Sequence, residues 1–175
     1  VIDMASVATA GGDVTVTGNT SAEIIDMASL TAVGGDVMIG GATAATTIDM
    51  SALATVGGDV TVADNPAADV IDMASLATAG GDVTVVDNGD AAVDMSAGTD
   101  VGGNLTIETT GSGSLPMGDD ATVTGDLTLD ATGYTDMSGN TPGGDLDLTA
   151  TRAEAVMHLQ IPAASFTTPV SFSVT

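Results

Sequence analysis

The sequence predicts an all-β chain wound as a parallel β-solenoid, a β-helix of about seven coils of 19–23 residues that taper toward the C-terminus. Three observations predict it. The stretch IDMSALATVGGDVTV, Ile48 to Val62, recurs along the chain, with copies starting at Ile2, Ile25 and Ile71, each 23 residues from its neighbour. A unit this short cannot bury its apolar side chains alone, so copies must stack to share a core. The apolar residues alternate with polar ones inside each copy, which is the period of a half-buried strand. Only 2% of the chain is aromatic against 43% hydrophobic, which suits a thin core of Val, Ile, Leu, Ala and Met.

The first coil shows how each element arises. Ile2, Asp3 and Met4 alternate apolar, polar, apolar, a strand with its Asp outward. Ala5 and Ser6 turn the chain, and Val7 and Ala10 supply small inward residues. Gly11 and Gly12 are expected to take positive φ in a tight bend. Asp13 to Thr17 is then a second strand with Val14 and Val16 inward. Gly18 to Glu23 reads as a polar corner. Asn19 stands there where Asn65 and Asn88 recur and Ala42 interrupts, and tolerance of left-handed φ accounts for Asn at a bend.

Seven copies keep the inward pair of the second strand: Val14/Val16, Val37/Ile39, Val60/Val62, Val83/Val85, Leu105/Ile107, Leu127/Leu129 and Leu146/Leu148. A parallel sheet running the length of the solenoid follows, right-handed by the rule that governs such crossovers. A methionine recurs as regularly, at Met4, Met27, Met50, Met73, Met95, Met117 and Met137, with Met157 as an eighth. Flexible thioethers stacked in a narrow coil fill gaps in a core better than they serve as soft-metal ligands. Residues 1–151 form the repeats. Residues 152–175 differ, holding Arg152, His158, Phe166, Phe172 and two prolines, and read as a cap or as strands that connect subunits.

Charge excludes several partners. Twenty-four acidic residues face one Arg and no Lys, a formal net charge of -23. Nucleic acid and anionic membrane surfaces both require a basic face, so neither is an expected partner. No Cys is present, so disulfides and thiolate metal sites are absent. An acidic, Lys-free surface fits an extracellular or cell-surface location. Val1 enters directly into the repeat, as a processed chain or a piece of a longer one would.

The motif L-x-x-V-G-G-D-V-x-V-x-x-N, Leu53 to Asn65, resembles the β-solenoid repeats of receptor L domains and of related leucine-rich repeat proteins on bacterial surfaces. The resemblance covers residues 1 to about 150. It implies a β-solenoid and a role in adhesion, ligand recognition or surface layers.

Two outward acidic ladders are the candidate metal sites. One is Asp3, Asp26, Asp49, Asp72, Asp94 and Asp136; the other is Asp13, Asp36, Asp59, Asp82, Asn104, Asp126 and Asp145. Stacked strands set such neighbours about 4.8 Å apart. Their repulsion is then roughly 0.9 kcal/mol in bulk water and about 3.5 kcal/mol at an effective dielectric of 20. Bound cations, hydrogen bonds from the Gly-rich bend or capping of the Asp's own turn would relieve it. Calcium is the candidate cofactor because it takes several oxygens. A threonine row, Thr15, Thr61, Thr84, Thr106 and Thr128, is interrupted by Met38 and Asp147 and follows from β-propensity.

No catalytic residues are expected, since His158 and Arg152 stand alone of their types and a uniform ladder does not separate the pKa values of an acid and a base. The leading functional expectation is an extracellular structural protein that self-assembles end to end into a filament or surface layer. In it a C-terminal strand carrying Phe166 and Phe172 adds to the open first coil at Val1, Ile2 and Met4. A cation-dependent adhesin or receptor-like binding module is the alternative, and an ice-binding protein a third.

Overall fold

The computed structural model describes residues 1–109, 115–116, 122–131, 135–136, 141–142, 146–150, 157–158 and 170–174, with side chains for 1–108 and 122–129. Among them the chain is an all-β parallel β-solenoid without helix. About five turns are complete, fewer than the seven or so expected. The later coils contribute strands whose intervening residues lie outside the described set, as does most of the expected taper.

Each coil has three strands where the sequence suggested two. The first strands, Ile2–Asp3, Ile24–Asp26, Thr47–Asp49, Val70–Asp72 and Ala92–Asp94, make a five-stranded sheet. The second strands are only two residues long and were not separable from a loop by periodicity. They run from Thr9–Ala10 through Ala32–Val33, Thr55–Val56, Thr78–Ala79, Asp100–Val101 and Thr122–Val123 to Thr141–Pro142 in a seven-stranded sheet. The third and longest strands form an eight-stranded sheet from Val14–Thr17 to Val170–Val174. A further three-stranded sheet joins Leu115–Pro116, Thr135–Asp136 and Met157–His158.

Pairing is parallel and in register at the repeat period. Ile25 stands on Ile2 and under Ile48, and Val60 stands between Val37 and Val83. Each position of the repeat therefore meets its own equivalent in the next coil. Because side chains alternate along a strand, Ile25, Ile48 and Ile71 all turn inward and their Asp neighbours outward. The interior is continuous: Met27, Met50 and Met73 are fully buried, as are Leu30, Leu53 and Leu76 on the following turn. Met38 lies outside this row and is exposed. Met117, Met137 and Met157 carry side chains outside the described residues.

Three local expectations are corrected. Gly11 and Gly12 do not take positive φ, and neither do their equivalents among the described residues. Left-handed residues stand instead at the corner, where Gly18, Gly41, Asp64 and Asp87 each come one before the corner Asn or its equivalent, and Gly89 and Gly98 also take positive φ. The corner is not simply polar, because Ala42, Ala45, Ala68 and Ala91 are tucked under it. Val7, expected inward, is 40% exposed in the first coil, whereas its equivalent Leu30 is covered by coils on both sides.

Of residues 152–175, the strand Met157–His158 pairs with Thr135–Asp136, and Val170–Val174 pairs in parallel with Leu146–Ala150. Arg152 and Phe166 lie outside the described residues, as does the Phe172 side chain.

Candidate functional site

The two acidic ladders are both present as in-register rows, but they do different work. In the first, Asp3, Asp26, Asp49, Asp72 and Asp94 end the first strand of successive coils. Each folds one carboxylate oxygen back onto the backbone two residues on. Oδ1 accepts from the N–H of Ala5 at 2.8 Å, Ala28 at 3.0 Å, Ser51 at 3.0 Å, Ala74 at 2.9 Å and Ser96 at 2.9 Å. This is an Asx turn, in which the side chain supplies the acceptor that starts the bend. Asp136 occupies the backbone place in Thr135–Asp136; its side chain lies outside the described residues.

The second ladder links coils. Asp13 Oδ1 accepts from the N–H of Asp36 at 3.0 Å, Asp36 from Asp59 at 2.9 Å and Asp59 from Asp82 at 2.8 Å. The chain continues with Asp82 accepting from Asn104 at 2.7 Å and Asn104 from Asp126 at 2.9 Å. Asp145 lies outside the described residues. Here the sheet hydrogen-bond pattern is interrupted, and a side-chain oxygen bridges the step. A backbone donor partly offsets the charge of each carboxylate it meets.

The G-G-D motif is the shape that makes this bridge fit. A Cβ on Gly34 would stand 2.6 Å from the carbonyl oxygen of Gly11, so the first glycine admits the backbone of the preceding coil. A Cβ on Gly58 would run into Oδ1 of Asp36, so the second glycine admits the carboxylate. Real Cβ atoms do not approach so closely, and Gly is used where another backbone must come near. Backbone bonds between the second glycines, such as Gly58 N–H to Gly35 O at 3.1 Å and Gly81 N–H to Gly58 O at 3.0 Å, run beside the carboxylate row.

A buried amide ladder escaped the sequence reading. Asn65 is fully buried and Asn88 nearly so. Asn65 Oδ1 accepts from the Ala42 N–H at 3.1 Å, Asn65 Nδ2 donates to Asn88 Oδ1 at 2.8 Å, and Asn88 Nδ2 donates to Val62 O at 2.7 Å. The recurrence of Asn was visible, but the bend was the wrong cause. The left-handed residue is its predecessor, Asp64 at φ 58° and Asp87 at φ 55°. Asn19 is only half-buried and donates to Thr17 O at 3.1 Å, since Ala42 breaks the row between them.

Those left-handed residues edge an open groove of about 670 Å³ lined by Gly41, Thr43, Asp64, Pro66, Asp87 and Gly89. Among the described residues no three His, Cys, Asp or Glu side chains converge as a metal-ligand set. The candidate assembly residues of the first coil lie at its open edge, with Val1 75% exposed and Ile2 and Met4 packed partly against the core. The outward threonines Thr61, Thr84 and Thr106 stand in register on the longest sheet. A second row, Thr55 and Thr78 with Asp100 following, occupies the two-residue strands of another sheet. No family model, curated protein or solved structure matches the chain.

Proposed function

We propose that the chain is a structural section of an extracellular filament or surface layer, a β-solenoid rod whose copies join end to end. The observation that supports it most is how the polar repeat positions are spent. One Asp of each coil starts a turn, the other carries a bond to the next coil, and the asparagines do the same inside the wall. Repeated chemistry that holds coil to coil yields stiffness along the axis rather than a convergent site. The high acidic charge keeps such a rod soluble along its flanks. A leucine-rich or L-domain-like origin of the repeat, and placement at a cell surface, belong to the same reading.

Strand addition would join the copies. Val170–Val174 is the terminal strand of the eight-stranded sheet, so among the described residues one of its edges has no strand beside it. Such an edge recruits another strand. Negative-stain electron micrographs and sedimentation test the proposal: linear polymers are expected from the intact protein, and monomers from a folded protein lacking residues 163–175. Monomers of the intact protein at all concentrations defeat it.

A cation-dependent adhesin is the second reading, favoured by carboxylates such as Asp36 and Asp59 that engage one oxygen each and remain exposed. Calcium binding to the folded state alone would add about 2.7 kcal/mol at a hundredfold excess over Kd. Melting in calcium against sodium chloride of equal ionic strength separates specific binding, which raises the midpoint further, from screening, which gives equal midpoints.

A further inference from the structure

One step of the outer carboxylate ladder is not a carboxylate. Asn104 stands where Asp36, Asp59 and Asp82 stand in earlier coils and Asp126 in the next. Its N–H donates to Asp82 Oδ1 at 2.7 Å and its own Oδ1 accepts from the Asp126 N–H at 2.9 Å, so the ladder crosses this coil intact. Oδ1 is also the atom that Gly125 admits, since a Cβ there would strike it. The other half of the amide is unspent. Asn104 is exposed, and among the described residues no hydrogen bond engages its Nδ2. The next two residues are Leu105 and Thr106. Leu105 is fully buried, and Thr106 faces outward in register between Thr84 and Thr128, as alternation along a strand requires. The amide and the hydroxyl two places on are therefore both on the outer surface.

We propose that Asn104 is a modification site that carries an N-linked glycan. An exposed Asn followed two residues later by Ser or Thr, with no proline between, is the acceptor pattern for that linkage. The other described asparagines fit it less well. Asn65 and Asn88 are buried, and the residues two places on are Ala67 and Asp90, without a hydroxyl. Asn19 has Ser21 two places on, but its Nδ2 already donates to Thr17 O at 3.1 Å. The donor is an oligosaccharide linked to a lipid phosphate. Nδ2 bonds to the anomeric carbon as the bond from that carbon to the phosphate oxygen breaks; the lipid phosphate leaves and one Nδ2 proton passes to solvent. The carbonyl half of the amide is untouched, so Oδ1 goes on accepting the Asp126 N–H. An Asp here would serve the ladder equally and offer no nitrogen, which gives the amide a purpose that the ladder does not. The inference rests on reading the chain as extracellular, since this acceptor pattern is used in secreted proteins.

Peptide mapping of the protein from its natural source, after cleavage at Asp, tests it. The peptide containing Asn104 should carry added sugar mass, with fragmentation placing it on that residue. A chain recovered outside the cell with Asn104 bare overturns the proposal and leaves the extracellular reading standing. A chain held inside the cell with Asn104 bare overturns both, whereas a glycosylated chain that forms no polymers in micrographs overturns the filament reading alone. Variants expressed in the same source separate a sugar acceptor from a residue that only bridges coils. Thr106→Ala should lose the glycan and Thr106→Ser should keep it, both folded by circular dichroism. Asn104→Asp should lose the glycan while the Asp126 amide stays protected from hydrogen exchange. A glycan that survives Thr106→Ala, or sits elsewhere in every peptide, defeats the assignment.

Discussion

Glycine shows at the level of one residue how position along the axis changes the meaning of a motif. Gly12 and Gly58 share the context G-G-D, yet Gly58 faces Asp36 Oδ1 and Gly12 faces open space. Gly58→Ala must push the carboxylate out of its slot and break the bond to the Asp59 N–H, so it should destabilise by about 2 kcal/mol or more. Gly12→Ala should stay within roughly 0.5 kcal/mol of the parent, as surface changes do. Denaturant midpoints of the two variants make the comparison, and equal effects would refute the slot. Asn65 is the corresponding test inside the wall. Asn65→Ala removes the acceptor of the Ala42 N–H and the donor to Asn88 Oδ1, both buried, and should cost about 1–3 kcal/mol. A loss this large would not follow if Asn served only to bend the chain, because the left-handed residue is Asp64.

On the scale of one ladder, an acceptor is needed at each step and a charge is not. Asn104 makes the point within this molecule, since its carboxamide oxygen accepts from the Asp126 N–H at 2.9 Å just as its Asp neighbours do. Asp59→Asn should therefore keep the bond to Asp82 and relieve repulsion with Asp36 and Asp82, raising stability by about 0.5–1 kcal/mol at low salt. Asp59→Ala loses the acceptor and should fall below the parent by roughly 1 kcal/mol. The advantage of Asp59→Asn should fade as salt rises from about 0.01 M to about 1 M, where the Debye length shrinks from about 30 Å to about 3 Å. An advantage that is independent of salt would mean that repulsion along the ladder is not what the substitution relieves.

For the whole molecule, a net charge of -23 on a rod of stacked coils opposes compaction everywhere at once. The melting temperature should climb with sodium chloride through screening of exposed carboxylates. If the ladders also hold calcium, millimolar calcium should add a further rise beyond matched ionic strength, and chelation should remove it. Contacts are between neighbouring coils, so stability is a sum of coil and interface contributions. Hydrogen exchange should accordingly be fastest in the first coil, whose apolar edge is open, and slowest around Met50 and Met73, which are covered by coils on both sides. Uniform protection from the first coil to the fourth would contradict that picture.

Fold class, period and inner face were all legible in the repeat alone. A constant spacing of 23 residues in a parallel stack must bring each position onto its own equivalent, so the Ile, Met and Val rows could be placed inside and both Asp rows outside without coordinates. What the polar rows do depends on how the coils meet in three dimensions. Whether a glycine is there for positive φ or for a close approach depends on how near the next coil comes, and whether an Asp caps its own turn or bridges to the next coil depends on side-chain direction. Local pattern carries neither quantity. The second strand of each coil was hidden for the same reason: two residues such as Thr55–Val56 are too few to show a period, and become a strand only because the coils above and below supply their hydrogen bonds.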